Sequence, residues 1–252
     1  MISCLCWNIR GIGNSPSVRR LISLCKSHKV QIAAILEHMI DNLAMQRISC
    51  RLGLKNFTSS NNSLSKVWLF WSDKITLDIV NCQDNFITVA VNNAPIAYYI
   101  TFIYASSHLH DKISQFQILS GLASTINGPW MVMGDFNSIL YSHEKFGGNP
   151  PSQPSVNAFH GFLQDNSLTD LSFTGSPFTW RNGQTGPGYI RARLDRGVAN
   201  PLWFDKAVTN ITHLHHIYSD HNLLLVYISF TNYLHASHFK FLKMWTRHPS
   251  FI

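Results

Sequence analysis

Acidic side chains are scarce in this chain: thirteen Asp and Glu stand against twenty Lys and Arg among 252 residues. Charged residues make up 13% of the total, low for a soluble protein. The shortage makes each carboxylate informative. Three of them, Asp135, Asp195 and Asp220, lie beside apolar segments rather than on polar helix faces. Cysteine is sparse as well. Cys4, Cys6, Cys25, Cys50 and Cys82 are odd in number and lack C-x-x-C spacing, which argues against a disulfide framework or a zinc site and fits a reducing compartment. No apolar run is long enough to span a bilayer. The opening residues reach Asn8 and Arg10 too soon for a signal peptide. These absences predict a soluble, intracellular protein with no membrane partner. Internal repeats and low-complexity tracts are also missing.

What is present is largely apolar. Hydrophobic residues reach 45% and aromatics 12%, ample for a sizeable core, and the length suits one α/β domain or at most two small ones. The net charge of +7 and a pI near 9.3 favour a polyanionic partner. Ile2 to Trp7, Gln31 to Leu36, Lys66–Trp71, Ile75–Val80, Phe86–Val91, Ile96–Tyr104, Trp130 to Met133 and Leu223 to Phe230 read as strands. Phe178–Arg181 and Ile190–Asp195 read as a hairpin around Asn182-Gly183 and Gly186-Pro187-Gly188. Helical spacing predicts a helix after the Ser15-Pro16 start signal, a short one over Asn42 to Leu52, one carrying Ile113, Phe116, Leu119 and Leu122, and one carrying Val156, Phe159, Phe162 and Leu163. Gly147 to Pro154 reads as a loop. Strands outnumber helices, which predicts an α/β fold of packed sheets flanked by helices.

Polar groups stand where several of these strands stop. Gly134-Asp135-Phe136-Asn137 follows a strand apolar on both faces, so Asp135 and Asn137 project from the sheet edge and can converge on one ligand. Ser219-Asp220-His221 precedes the last strand and pairs a metal-type carboxylate with an imidazole. Glu37 ends a buried strand, where a carboxylate is costly unless paired or metal-bound. Asn8 offers an amide, Tyr104 a phenol, and Asp195 a carboxylate able to orient a histidine. Each has an ordinary explanation: turn chemistry, packing, or for Asp195 a salt bridge with Arg193 or Arg196. Their order along the chain is more specific than any one of them.

Taken together, these segments resemble the endonuclease/exonuclease/phosphatase superfamily, which includes abasic-site endonucleases and DNase I-like enzymes. The likeness runs from Cys4 to about Phe230. A narrower set is similar to the endonuclease domain of LINE-type (non-LTR) retrotransposons, especially plant ones: Trp7-Asn8-Ile9-Arg10-Gly11-Ile12-Gly13, Val67-Trp68-Leu69-Phe70-Trp71, Phe178-Thr179-Trp180 and Arg193-Leu194-Asp195-Arg196. Two positions depart from the superfamily pattern. Arg10 stands where repair-type members carry Asp, and His38 follows Glu37 where Thr is usual.

The resemblance implies two packed, mostly antiparallel β-sheets flanked by helices, a four-layer DNase I-like α/β sandwich over residues 1–232. A basic, aromatic tail over 233–252 resembles the linker to a reverse transcriptase, which would be encoded elsewhere. It implies a monomer that nicks double-stranded DNA with Mg²⁺ (or Mn²⁺ as substitute), acting in the nucleus and leaving 5′-phosphate and 3′-hydroxyl ends. Glu37, Asp220 and Asn8 would serve the metal, with Tyr104, Asp135, Asn137, Asp195 and His221 catalytic, and the general base left open between Asp135 and His221. The hairpin tip Asn182–Tyr189 is the expected groove probe. Two other readings stay open: an abasic-site nuclease or phosphatase on the same fold, and an inactive transposon relic.

Overall fold

The structure is a computed structural model that describes residues 1–13, 15–60, 65–92, 96–215 and 219–230. The tail expected over 233–252 lies outside the described residues. Along the first half run β1 (Ile2–Asn8), α1 (Ser15–Ser27), β2 (Ile32–Leu36), α2 (Met45–Leu52), β3 (Asn56–Ser59), β4 (Val67–Trp71), β5 (Leu77–Cys82), β6 (Phe86–Val91), β7 (Tyr98–Tyr104) and α3 (Leu109–Ala123). The second half adds β8 (Trp130–Asp135), β9 (Lys145–Phe146), α4 (Gln153–Asp165), β10 (Thr169–Asp170), β11 (Phe173–Gly175), β12 (Trp180–Arg181) and β13 (Arg191–Ala192). It closes with β14 (Asp195–Ala199), α5 (Pro201–Lys206), β15 (Ala207–Leu214) and β16 (Leu223–Phe230).

Two mixed, mostly antiparallel sheets face each other. One has the order β11-β15-β16-β1-β2-β4-β3, the other β10-β14-β8-β7-β6-β5. A small third sheet, β12-β13-β9, stands beside them. Alternation along β1 explains the layering. Cys4 and Cys6 point into the core between the sheets, with Ile100, Phe102, Met131 and Val226. Leu5 and Trp7 point the other way, under α1 and α2. Phe116 of α3 and Phe159 and Phe162 of α4 cover the outer face of the second sheet, stacking with ring centroids 4.6 Å apart for Phe116–Phe162. Burying one such side chain contributes roughly 1.5–3 kcal/mol. The result is the expected four-layer sandwich. Cys4, Cys6 and Cys25 are buried small hydrophobes, and burial pushes the Cys4 and Cys25 thiols up to about 12. Cys50 is exposed on α2.

The sequence-based boundaries need correction in several places. The helix expected over Asn42–Leu52 is a 3-10 turn, Asn42–Ala44, followed by α2. The strand expected at Ile75–Val80 is displaced to Leu77–Cys82 and carries a bulge between Ile79 and Asn81. The loop expected through Pro154 ends earlier, because Pro154 sits in the first turn of α4, where its missing N–H costs nothing. The strand expected over Ile190–Asp195 is two strands in different sheets. Arg191–Ala192 pairs with β12 and β9, whereas Asp195 opens β14 and pairs with β8. At the crossing, the Thr179 hydroxyl accepts from both the Leu194 and the Asp195 N–H, each at 2.9 Å.

Arg193 and Arg196 flank Asp195 yet do not pair with it. Both turn to Glu144 and Asp170. Fully buried Arg196 donates to Glu144 Oε2 at 2.7 Å and Oε1 at 3.0 Å, and Arg193 grips Asp170 at 2.6 and 3.0 Å. Burial would raise the Glu144 carboxyl, but the hydrogen bond and charge of Arg196 outweigh it and hold the group below its ordinary value. This pairing leaves the Asp195 carboxylate free of arginine and available elsewhere.

Two stability tests follow. Arg196→Ala leaves Glu144 buried beside a void, and should cost about 3–5 kcal/mol in urea unfolding. Gly134 has φ +141, and a Cβ there would sit 2.1 Å from the Ile103 carbonyl oxygen on the neighbouring strand β7. Gly134→Ala should therefore cost about 2–4 kcal/mol, seen as a lower midpoint at unchanged slope.

Candidate active site

Strand directions bring the polar residues to one rim. β1 and β2 run parallel, as do β7 and β8, so Asn8, Glu37, Tyr104 and Asp135 all stand at carboxyl ends. β14 and β16 run antiparallel to β8 and β1, so their opening residues meet the same rim. Asp195 falls directly opposite Asp135. His221, just before β16, bridges to Trp180. Glu37 and Asn137 adopt left-handed backbone, φ 49 and 46, as does Arg10 at φ 43. Such strain in non-glycine residues collects at functional sites, where the surroundings over-determine it.

All eight expected site residues join one network. The Asn8 side-chain nitrogen donates to Glu37 Oε2 at 3.0 Å and to Asp135 Oδ2 at 2.9 Å, tying the two sheets together. Its oxygen is turned away, accepting the Arg10 N–H at 3.2 Å. With two carboxylates as neighbours, that amide orientation is the one the hydrogen bonds demand. Asn8 thus brackets the two carboxylates and fixes their rotamers, the alternative to offering its amide oxygen to a metal. Asp135 Oδ1 accepts the Asn137 N–H at 2.8 Å, and the Asn137 side chain anchors on the Ala105 carbonyl at 2.8 Å. His221 Nδ1 faces Asp195 Oδ2 at 2.9 Å, and its Nε2 lies 3.8 Å from Asp135 Oδ2. The Tyr104 phenol stands beside the Glu37 carboxylate and feels its charge. Asp220 Oδ2 accepts from Trp180 Nε1 at 3.0 Å and from Arg10 Nη1 at 2.5 Å. Arg10 Nε lies 3.8 Å from Glu37 Oε2.

Burial and charge set the protonation states. Burial alone would push His221 down, but Asp195 and Asp135 outweigh it and raise the imidazole to about 9. Burial lifts Asp135 to about 7, with His221 pulling against the rise and Asp195 adding to it. Tyr104 is pushed far up by burial and by the charge of Glu37, so it stays a neutral phenol. Cys6, beneath the two aspartates, is raised by burial and then by their charge.

Two cation-seeking clusters result. Asp135, Asp195 and His221 each offer a ligand atom within 4.8 Å of the others, a buried Asp/His metal-site candidate. Glu37 and Asp220 present carboxylate oxygens to one positively charged group, Arg10. Hard oxygen donors around a cation suit a divalent ion such as Mg²⁺, so the residues present fit a metal. His38 takes no part: it stacks on Trp68 with centroids 4.0 Å apart, and its Nδ1 faces the Ile40 carbonyl.

Lys112 and Thr179 matter here, and neither was among the expected site residues, although Thr179 lies in the motif Phe178-Thr179-Trp180. The Lys112 ammonium, almost fully buried, donates to the Asn137 carbonyl at 2.5 Å and to the hydroxyls of Ser138 at 2.8 Å and Ser155 at 2.9 Å, which holds the turn after Asp135. Burial lowers its pKa to about 8. One signal was available: Lys112 shares the inward helix face with Phe116 and Leu119.

The raised imidazole makes a measurable prediction. A value lifted from 6.5 to about 9 means that the folded chain holds this proton more tightly than the unfolded one. The stabilisation is complete below pH 6.5 and fades as pH climbs through about 9. Asp195→Asn should bring the His221 titration down, followed by histidine side-chain NMR. An unchanged midpoint would contradict the assignment of Asp195 as its main charge partner.

Known proteins supply the context. Solved structures with the same fold include the endonuclease domain of TRAS1, a telomere-specific non-LTR retrotransposon, at 15% identity, with a TM-score of 0.67 over 90% of this chain and 98% of that one. The 3′ phosphatase NExo from Neisseria, bound to product DNA hairpin, gives 15% and 0.69 over 91% and 100%. An AP endonuclease from Archaeoglobus fulgidus gives 14% and 0.66 over 91% and 100%. Likeness at such identities speaks for the fold. No functionally curated protein matches the chain in sequence. The sequence profile of the Endonuclease/Exonuclease/phosphatase family matches residues 5–221. That span takes in every member of the rim network, from Asn8 to His221, and by it the chain belongs to the endonuclease/exonuclease/phosphatase family.

Proposed function

We propose that this chain is a divalent-metal-dependent DNA endonuclease of the LINE retrotransposon type, cutting one strand to leave 5′-phosphate and 3′-hydroxyl ends. The observation that carries the hydrolytic reading is the His221 ring held between Asp195 and Asp135 beside the Glu37–Asp220 carboxylate pair. The motif from Trp7 to Gly13, with Arg10 in place of the repair-type Asp, supports the retrotransposon reading, and the +7 charge suits a DNA partner.

Glu37 and Asp220 would hold Mg²⁺, or Mn²⁺ in its place, and the bound ion supplies charge neutralisation at the scissile phosphate. Asp135 takes a proton from the attacking water at Oδ2. Asn8 and the Asn137 N–H hold that carboxylate in place, and its raised pKa keeps it a competent base near neutrality. His221, its Nδ1 proton held by Asp195, presents Nε2–H to a non-bridging oxygen as charge builds there. Its position between two carboxylates keeps the ring cationic, which suits a donor better than a base. Tyr104, kept neutral, offers its hydroxyl to the phosphate. The tip Asn182–Tyr189 is pinned by Asn182, whose side chain bonds the Gly188 carbonyl at 2.8 Å, and this exposed turn would probe the groove.

Nicking of supercoiled plasmid tests the proposal. Wild type should nick with Mg²⁺ and stop with EDTA, and Glu37→Ala and His221→Ala should each lose about 10²–10³ in rate. Parallel assays on an abasic duplex and on inositol phosphates separate the readings. Preference for either over intact plasmid would shift the assignment to a repair nuclease or a phosphatase. Equal nicking by wild type and both variants would mean contamination.

A further inference from the structure

We propose that Arg10 is a built-in counter-ion that competes with the divalent metal for the carboxylates of Glu37 and Asp220, so that the site neutralises itself until the metal displaces the guanidinium. This rests on the reading above that these two carboxylates hold the metal.

Arg10 reaches both groups at once. Its Nη1 donates to Asp220 Oδ2 at 2.5 Å, and its Nε lies 3.8 Å from Glu37 Oε2. These are oxygens a metal would need, and a guanidinium in contact with them repels a second cation. The Asp220 side chain also accepts Trp180 Nε1 on the same oxygen, so its orientation survives without the arginine. Glu37 is likewise held by Asn8. Removing the guanidinium therefore exposes a preformed pair of carboxylates rather than collapsing it.

The backbone aims Arg10 at this place. Its N–H bonds Asn8 Oδ1, and the next two residues are strapped to the Glu37 segment, Gly11 N–H to the Glu37 carbonyl at 2.8 Å and Ile12 N–H to the His38 carbonyl at 2.9 Å. These bonds hold the left-handed φ of 43 that turns the side chain toward the rim. The side chain itself is 49% exposed, against 7% for Arg193 and 0% for Arg196. Arg193 and Arg196 are structural cations sealed in place. Arg10 can swing into solvent while its backbone stays put, which is what a displaceable counter-ion requires. Metal affinity is then reduced by the fraction of time the guanidinium occupies the pair.

Mn²⁺ binding to the full chain, measured by calorimetry, tests this without reference to activity. Arg10→Gln should bind Mn²⁺ at least about fivefold more tightly than wild type. Its melting temperature should be lower without metal and rise further on adding Mn²⁺. Arg10→Lys, which keeps the charge, should stay near wild type. In wild type, Mg²⁺ should shift the Arg10 side-chain nitrogen resonances toward those of a free arginine, a readout that needs no variant to fold. Equal or weaker Mn²⁺ binding by Arg10→Gln, with Glu37→Gln still abolishing binding, overturns the competition and leaves the metal site standing. Binding that ignores Glu37→Gln and Asp220→Asn, or no binding at all, overturns the metal assignment and the competition together.

Discussion

Two buried carboxylates face each other across the β8–β14 ladder: Asp135 and Asp195 are direct partners in the register. Like charges so placed, away from water, repel strongly and would ordinarily force one to take up a proton. The imidazole of His221, carried in from the other sheet, lies between them and supplies the missing positive charge. The sandwich therefore closes around an electrostatic requirement as well as an apolar one. Neither sheet can satisfy its polar rim alone, and Asn8 repeats the same cross-sheet logic with hydrogen bonds to Glu37 and Asp135.

Much of this was visible in the chain before folding. The apolar runs of β1, β2, β7, β8 and β16 announce themselves, and polar residues at their ends stand out because acids are so few. Partners distant in sequence were not visible. Nothing near Arg193 or Arg196 indicates that Glu144 and Asp170 will neutralise them, so a salt bridge to Asp195 looked equally good. At the split of Ile190–Asp195 between two sheets the Thr179 hydroxyl takes up two backbone N–H groups, a contact no periodicity encodes. β14 hides because Gly197 interrupts its pattern, at a place where the tip of the Ile211 side chain packs close to the backbone. Residue type announced Asn8, but only its neighbours determine which end of the amide faces the carboxylates.

The rim also shows how a fold separates stiffness from adaptability. Arg193, Arg196 and Lys112 are cations locked inside by carboxylates, carbonyls and hydroxyls, and they fix the strands and turn that present Asp195 and Asp135. Arg10 has the same charge on a half-exposed side chain above a strapped, strained backbone. Positive charge is thus distributed by depth: scaffolding below, an exchangeable group at the mouth.

The uneven exposure of the thiols has a practical side. Cys4, Cys6 and Cys25 are buried and held protonated, while Cys82 is partly covered and bonds the Ser59 carbonyl, leaving Cys50 on α2 as the solvent-facing sulfur. A maleimide dye or spin label added to the folded wild-type chain will react there first. The molecule accordingly carries its own attachment point for single-molecule or distance measurements, with no engineered cysteine and no disturbance of the thiol beneath the aspartates.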